Sequence, residues 1–120
     1  MSIQLKRVYA PPAEEDGCRV LVDHLWPRGI KKADAALDTW VKEVAPSEGL
    51  RKWFHHEPEK WEEFKRRYFL ELNSNPEPLI ELEKKARNGR LTLVYASKEE
   101  RFNNAVALKE YLETRMQSEQ

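Results

Sequence analysis

With a single cysteine, Cys18, the chain can form no internal disulfide. Glycine is nearly as scarce. Its four positions match no phosphate-cradling pattern, which excludes a nucleotide or dinucleotide loop of the Gly-rich kind. There is no Gly-x-Ser-x-Gly elbow to carry a hydrolase serine. Net charge is also missing: 21 basic residues balance 21 acidic ones. Non-specific nucleic-acid binders carry a basic excess, because neutralising phosphates dominates that affinity, so general nucleic-acid binding is not expected. A local basic pocket is compatible with the balance. No apolar run approaches the roughly 20 residues of a membrane span. The opening Met1-Ser2-Ile3-Gln4-Leu5-Lys6-Arg7 lacks the apolar core and cleavage site of a signal peptide. These absences predict a cytoplasmic chain with no membrane partner.

What is present is enough to fold. Hydrophobic residues make up 40% of the chain, with four each of Trp, Tyr and Phe, which excludes a disordered chain despite 35% charged residues. At 120 residues the chain fits one domain, 1–120. Such a core buries roughly two-thirds of the unfolded surface without a metal or disulfide staple.

Ile3 to Tyr9 alternates as a short first strand. The loop from Ala10 to Gly17, rich in Pro and acids, leads to Cys18–Asp23, whose near-continuous apolar run reads as a strand buried on both faces. Asp34 is placed to cap a short helix through Val44, with Leu37, Trp40, Val41 and Val44 on one face. Pro46-Ser47 reads as a break and a new cap, before a helix with Leu50, Trp53 and Phe54 on its apolar side. Pro58 suits a first helical position. Behind it Trp61, Phe64, Tyr68 and Leu72 fall at helical spacing as a core stripe, and Lys65-Arg66-Arg67 as a solvated face. A further helix carries Leu79, Leu82 and Ala86. It closes at Asn88-Gly89, with Lys84, Lys85 and Arg87 in its last turn, where cations suit the helix dipole. Arg90–Tyr95 is the clearest strand. A last helix is predicted from about Arg101 to Arg115, with Gln117–Gln120 frayed. The order predicts an α/β fold: a small, mainly parallel sheet flanked by helices, with the ends of the second and last strands on one edge.

Two turns carry the chemistry. Asp23-His24-Leu25-Trp26-Pro27-Arg28-Gly29 follows the second strand and places a carboxylate, an imidazole, an indole and a guanidinium on one turn. Ligands of open α/β sheets bind beyond the carboxyl ends of strands. The competing reading pairs Asp23 with Arg28 or with backbone and sinks Trp26 into the core. After the last strand, Ser97 is a candidate helix cap beside Lys98, a point charge for an anion. Asn103 and Asn104 stand where Asn has little intrinsic reason to be, so at least one is expected to make a specific hydrogen bond.

His55-His56-Glu57 is a weak metal signal, since adjacent histidines diverge and no second ligand pair appears, and no metal site is assigned. Cys18, without a paired Cys or a nearby base, reads as a small core side chain rather than a nucleophile.

The string Asp23-x-Leu25-Trp26-Pro27-Arg28-Gly29 does not stand alone. With Lys6-Arg7-Val8-Tyr9, Arg19-Val20-Leu21-Val22, Trp40, Ala45-Pro46-Ser47, Leu50-Arg51, Phe54-His55, Thr92-Leu93-Val94-Tyr95, Lys98 and Asn103 to Leu108, it resembles the domain-of-unknown-function family 488, in its YeaO-like branch, over nearly the whole chain. The resemblance implies a small α/β fold with polar turns after the second and last strands, and it implies no activity. His24 stands where the family usually has Arg, so an anion-binding role would need its imidazole protonated or hydrogen-bonded. Phe102 stands where relatives are often polar.

The resulting expectation is a strand-end site lined by Asp23, His24, Trp26, Arg28, Ser97, Lys98 and Asn103. Arg28 and Lys98 would hold a phosphate or carboxylate, and Asp23 is the candidate base if there is any catalysis. The alternative is a non-catalytic module that contacts a protein or nucleic-acid partner through the Trp-Pro-Arg-Gly turn. No cofactor and no oligomeric state follow from the residues.

Overall fold

The computed structural model describes residues 2–118. Its frame is a four-stranded sheet, every pairing parallel, in the order β1-β4-β2-β3. The strands are β1 (Ser2–Arg7), β2 (Cys18–Leu21), β3 (Thr39–Trp40) and β4 (Arg90–Tyr95). The helices are α1 (Lys32–Ala35), α2 (Glu48–Phe54), α3 (Trp61–Asn73), α4 (Glu77–Arg87) and α5 (Asn104–Ser118).

β4 lies inside the sheet, so residues 91–95 are buried on both faces. Alternation then sorts the sheet's side chains. Ile3, Val20, Val22, Leu91, Leu93 and Tyr95 meet the larger helices. There they join Phe54, Phe64, Tyr68, Leu79, Leu82, Leu108 and Leu112 in the main core. The stripe expected of α3 is in that core: Phe64 stacks on Phe54 at 4.3 Å, and the Tyr68 hydroxyl donates to the Val44 carbonyl at 2.5 Å. Val8, Leu21 and Val94 face the other way, under the segment after β2, with Ala35, Trp26, Ile30 and Trp40.

That second face also carries a buried ion cluster. Asp16 accepts from Lys6 Nζ at 3.0 Å and from Arg19 Nη1 at 2.7 Å. Arg19 also donates to the Ala35 and Ala36 carbonyls. This explains where the sequence reading of 34–44 as a helix fails. Ala36 turns left-handed at φ 49°, and Arg19 takes the carbonyls that the next helical turn would need. Asp38 N–H donates to the Arg19 carbonyl and Val41 N–H to that of Leu21, which draws Thr39–Trp40 into the sheet as a fourth strand. Tertiary pairing overrides the helical spacing of Leu37, Trp40, Val41 and Val44.

The other boundaries move less. Ser47 caps α2 through the Leu50 N–H, and Pro58 opens a 3-10 turn that runs into α3. α5 starts at Asn104 rather than near Arg101, and runs to Ser118, so Gln117 and Ser118 are helical rather than frayed. Glu119 and Gln120 lie outside the described residues. Among the described residues no helix is long and apolar enough to cross a membrane.

Candidate functional site

The chain leaving β2 passes over one face of the sheet into α1, and the chain leaving neighbouring β4 crosses to the opposite face into α5. Neighbouring strands whose continuations part to opposite faces leave a crevice at their carboxyl ends, where α/β sheets take ligands. A cavity of about 350 Å³ opens there.

Asp23 forms its floor. One carboxylate oxygen accepts from the Ala96 N–H at 2.8 Å and the other from Asn104 Nδ2 at 3.2 Å. Asn104 Nδ2 also reaches the Val22 carbonyl at 3.2 Å. The acid therefore ties the end of β2 to the end of β4 and to the first turn of α5. Burial pushes its pKa above the ordinary 3.8, against those hydrogen bonds and the charges of Arg51 and His56. Asp23 and Arg28 make no pair.

Trp26 and Pro27 shape the wall. The Trp26 indole N–H donates to the Ile30 carbonyl at 2.8 Å, and its ring meets Trp40 edge-on at 5.6 Å. Trp40 in turn donates to the Asp23 carbonyl at 2.7 Å. The turn is thus fastened from below, with Trp26 half-buried and Pro27 buried. Arg28 and His24 are exposed and line the crevice. Tyr9 holds the Arg28 carbonyl through its hydroxyl, while the guanidinium has no hydrogen-bond or ion-pair partner among the described residues.

Four lining residues, Tyr9, Ala45, Arg51 and His56, come from beyond the expected turns. Arg51, on α2, gives Nε to the Pro46 carbonyl at 3.3 Å, which leaves its terminal nitrogens without a partner among the described residues. His56 follows α2 in a left-handed pair, His55 at φ 45° and His56 at φ 54°. Such backbone costs of order 1 kcal/mol or more per residue and persists only where surrounding contacts enforce it. Here His56 Nδ1 donates to the Phe102 carbonyl at 3.0 Å, and Nε2 has no hydrogen-bond partner among the described residues. Phe102 itself packs edge-on against Trp61 at 5.5 Å, which accounts for an apolar side chain at that position. The Leu50-Arg51 and His55-His56 pairs were visible in the sequence, but nothing in their spacing tied them to the turns at 23–29 and 95–105.

The residues after β4 divide. Ser97 lines the crevice, but its hydroxyl accepts from the Glu99 N–H at 3.0 Å in a local turn and caps no helix. Lys98 is exposed and outside the lining. Asn103 is fully buried and caps α5, with Oδ1 accepting from the Val106 N–H at 2.9 Å. Asn104 is the member of the pair that reaches the crevice.

Arg28 and Arg51 bring two guanidinium groups, His24 and His56 two imidazoles, and Asp23 is the single carboxylate in the lining, its two oxygens already engaged. The Ser97 hydroxyl is committed to its turn. Cys18 sits at the opposite end of β2, and burial pushes its thiol pKa up. Among the described residues no three His, Cys, Asp or Glu side chains gather as a metal site.

Comparison with known proteins gives the same family over the same span. The chain is 46% identical to the uncharacterised protein YeaO of Escherichia coli K12 over 112 residues, 93% of this chain and 97% of that one. It is 41% identical to the uncharacterised protein Rv3073c of Mycobacterium tuberculosis H37Rv over 113 residues, 94% and 95% of the two chains, and equally so to Mb3100c of Mycobacterium bovis. No solved structure matches. The profile of the inactive DUF488-N3 subclade matches residues 2–120, and the chain belongs to that family.

Proposed function

We propose that the crevice between the ends of β2 and β4 binds a small anion, a phosphate or carboxylate group, and holds it without turning it over. The observation that carries this reading is the imbalance of the lining. Two guanidinium groups with nitrogens that have no partner among the described residues line a crevice whose single carboxylate is already tied to Ala96 and Asn104. Guanidinium forks match phosphate and carboxylate oxygens in a bidentate way. The absence of turnover is supported by the engaged Ser97 hydroxyl, by the distance of Cys18 along β2, and by the description of the family as inactive.

A thermal-shift series tests it, with wild type and Arg28→Ala against phosphate, sulfate, nucleotides and small carboxylates. A ligand that binds only the native state stabilises it by about 2.7 kcal/mol at a hundredfold excess over Kd. The expected result is a raised Tm for one class of anion in the wild type. That shift should be lost in Arg28→Ala, whose unliganded Tm stays near wild type because the exposed guanidinium makes no hydrogen bond or ion pair among the described residues. If no anion shifts the wild type, the reading fails.

One observation favours partner contact instead. Leu25 is 66% exposed on the rim, beside Tyr9 at 44%. Against it stands the Trp26 anchor, which is fastened to Ile30 and Trp40 rather than offered to a partner. If Leu25→Ser abolishes capture of a partner while leaving every anion shift intact, the rim has that separate role.

A further inference from the structure

Two guanidinium groups account for an anionic head, but not for the rest of the crevice. Its volume of about 350 Å³ lies within the range of small-molecule sites, roughly 300–1,000 Å³, and exceeds what one phosphate or carboxylate group fills. Among the described residues four large apolar side chains are exposed, Tyr9, Leu25, Leu70 and Ile80. Two of the four, Tyr9 and Leu25, stand on this one crevice, and half-buried Trp26 and buried Pro27 continue the same wall. A single exposed apolar side chain needs no explanation, but apolar groups gathered at a concave site mark a ligand surface.

That wall is fixed before any ligand arrives. Tyr9 has its hydroxyl on the Arg28 carbonyl and its ring under Arg7 at 5.1 Å. Arg7 is itself engaged on the carbonyls of Ser97 and Ala96, so it brings no free charge. Trp26 is fastened to Ile30 and Trp40. A preformed wall asks little ordering of the complex. The polar groups suited to a ligand's hydroxyls are, by contrast, engaged inside the chain. Both Asp23 oxygens accept protein donors, and the Asn104 amide nitrogen donates to Asp23 and Val22. The Ser97 hydroxyl both donates to and accepts from the Glu99 backbone. A body rich in hydroxyls would leave water for few new partners, which costs free energy, whereas an apolar body gains by leaving water.

We infer that the anion held here is an organic acid: a phosphate or carboxylate on a compact apolar body such as a ring. The head lies on Arg28 and Arg51, and the body against Leu25, Tyr9 and Trp26. The inference rests on the anion-binding reading of the site and narrows its ligand to amphipathic anions. Inorganic phosphate and sugar phosphates lack the body. Exposed Leu25 then has a use that needs no protein partner.

Calorimetric titration with three phosphate monoesters tests this: methyl phosphate, phenyl phosphate and glucose 6-phosphate. At about pH 8 all three heads are dianions, so only the body differs. Phenyl phosphate is expected to bind at least about tenfold tighter than methyl phosphate, the gain from burying part of a ring. Glucose 6-phosphate is expected to bind no tighter than methyl phosphate. Leu25→Ser, at a side chain 66% exposed, is expected to fold normally and to cut the phenyl-to-methyl ratio several-fold. Equal affinity for the phenyl and methyl esters, or a preference for the sugar ester, overturns the inference and leaves the anion site standing. A phenyl gain that Leu25→Ser leaves intact also overturns it, because the ring then sits elsewhere. If none of the three binds, the anion-binding reading falls, and this inference with it.

Discussion

At the scale of single residues, the side chains that matter most for stability are not those that line the crevice. Arg19 is 4% exposed and meets one carboxylate, Asp16, with its other nitrogens on the carbonyls of Ala35 and Ala36. Removing one partner of a buried pair leaves the other charge uncompensated, which costs about 3–5 kcal/mol. Asp16→Asn is therefore expected to lower unfolding free energy by several kcal/mol in urea. The same acid sets a pH signature. Burial raises its pKa, but hydrogen bonds from Lys6, the Ala13 N–H and Arg19 outweigh burial and hold it below the ordinary 3.8. A carboxylate with a depressed folded pKa contributes stability above its unfolded value and loses it as pH falls through the folded one. Wild-type stability should therefore fall below about pH 4 in a step that Asp16→Asn lacks, read from urea melts across that range. The ion cluster stands away from the crevice, so its loss should leave anion selectivity in the surviving folded protein unchanged.

At the scale of elements, α5 and β2 set the geometry of the site. Asn103 begins α5 and Asn104, one residue on, ties it to Asp23 and Val22. Asn103→Ala should cost about 1–2 kcal/mol through the lost cap, and Asn103→Asp should recover most of it, as measured by denaturant melts. Most elements were legible in the sequence, because local signals and tertiary demands agreed. Ser47 and Pro58 mark helix starts, Asn88-Gly89 marks a stop, and the apolar runs of β2 and β4 suit a buried parallel sheet. Where the two conflicted, periodicity misled. The 37–44 spacing looks helical, yet Arg19, 17 residues upstream of Ala36, claims the carbonyls and the segment pairs as β3. The site was legible in part for the same reason. Turns that follow adjacent strands can be read in sequence, so Asp23, His24, Trp26, Arg28 and Ser97 fall on the crevice. Arg51 and His56 arrive from α2 and its left-handed exit, a placement set by packing of Phe54 against Phe64 and by the bond to Phe102, and no local pattern encodes it.

At the scale of the whole molecule, balanced net charge and a cationic crevice fit together. A chain of zero formal charge has no broad field to gather anions, so the proposed binding would draw its affinity from short-range contacts with Arg28 and Arg51 rather than from steering. Binding should then weaken only modestly with added salt of non-binding anions, and it should be localised. The most direct test is a titration of the nitrogen-15-labelled protein with inorganic phosphate, followed by amide and arginine Nε–H resonances. The account predicts saturable shifts confined to His24–Gly29, Ser97, Asn104, and the Nε–H of Arg28 and Arg51, all with one Kd. No saturable shift, or shifts scattered over the solvated lysines and arginines of α3 and α4 with the crevice silent, would contradict it.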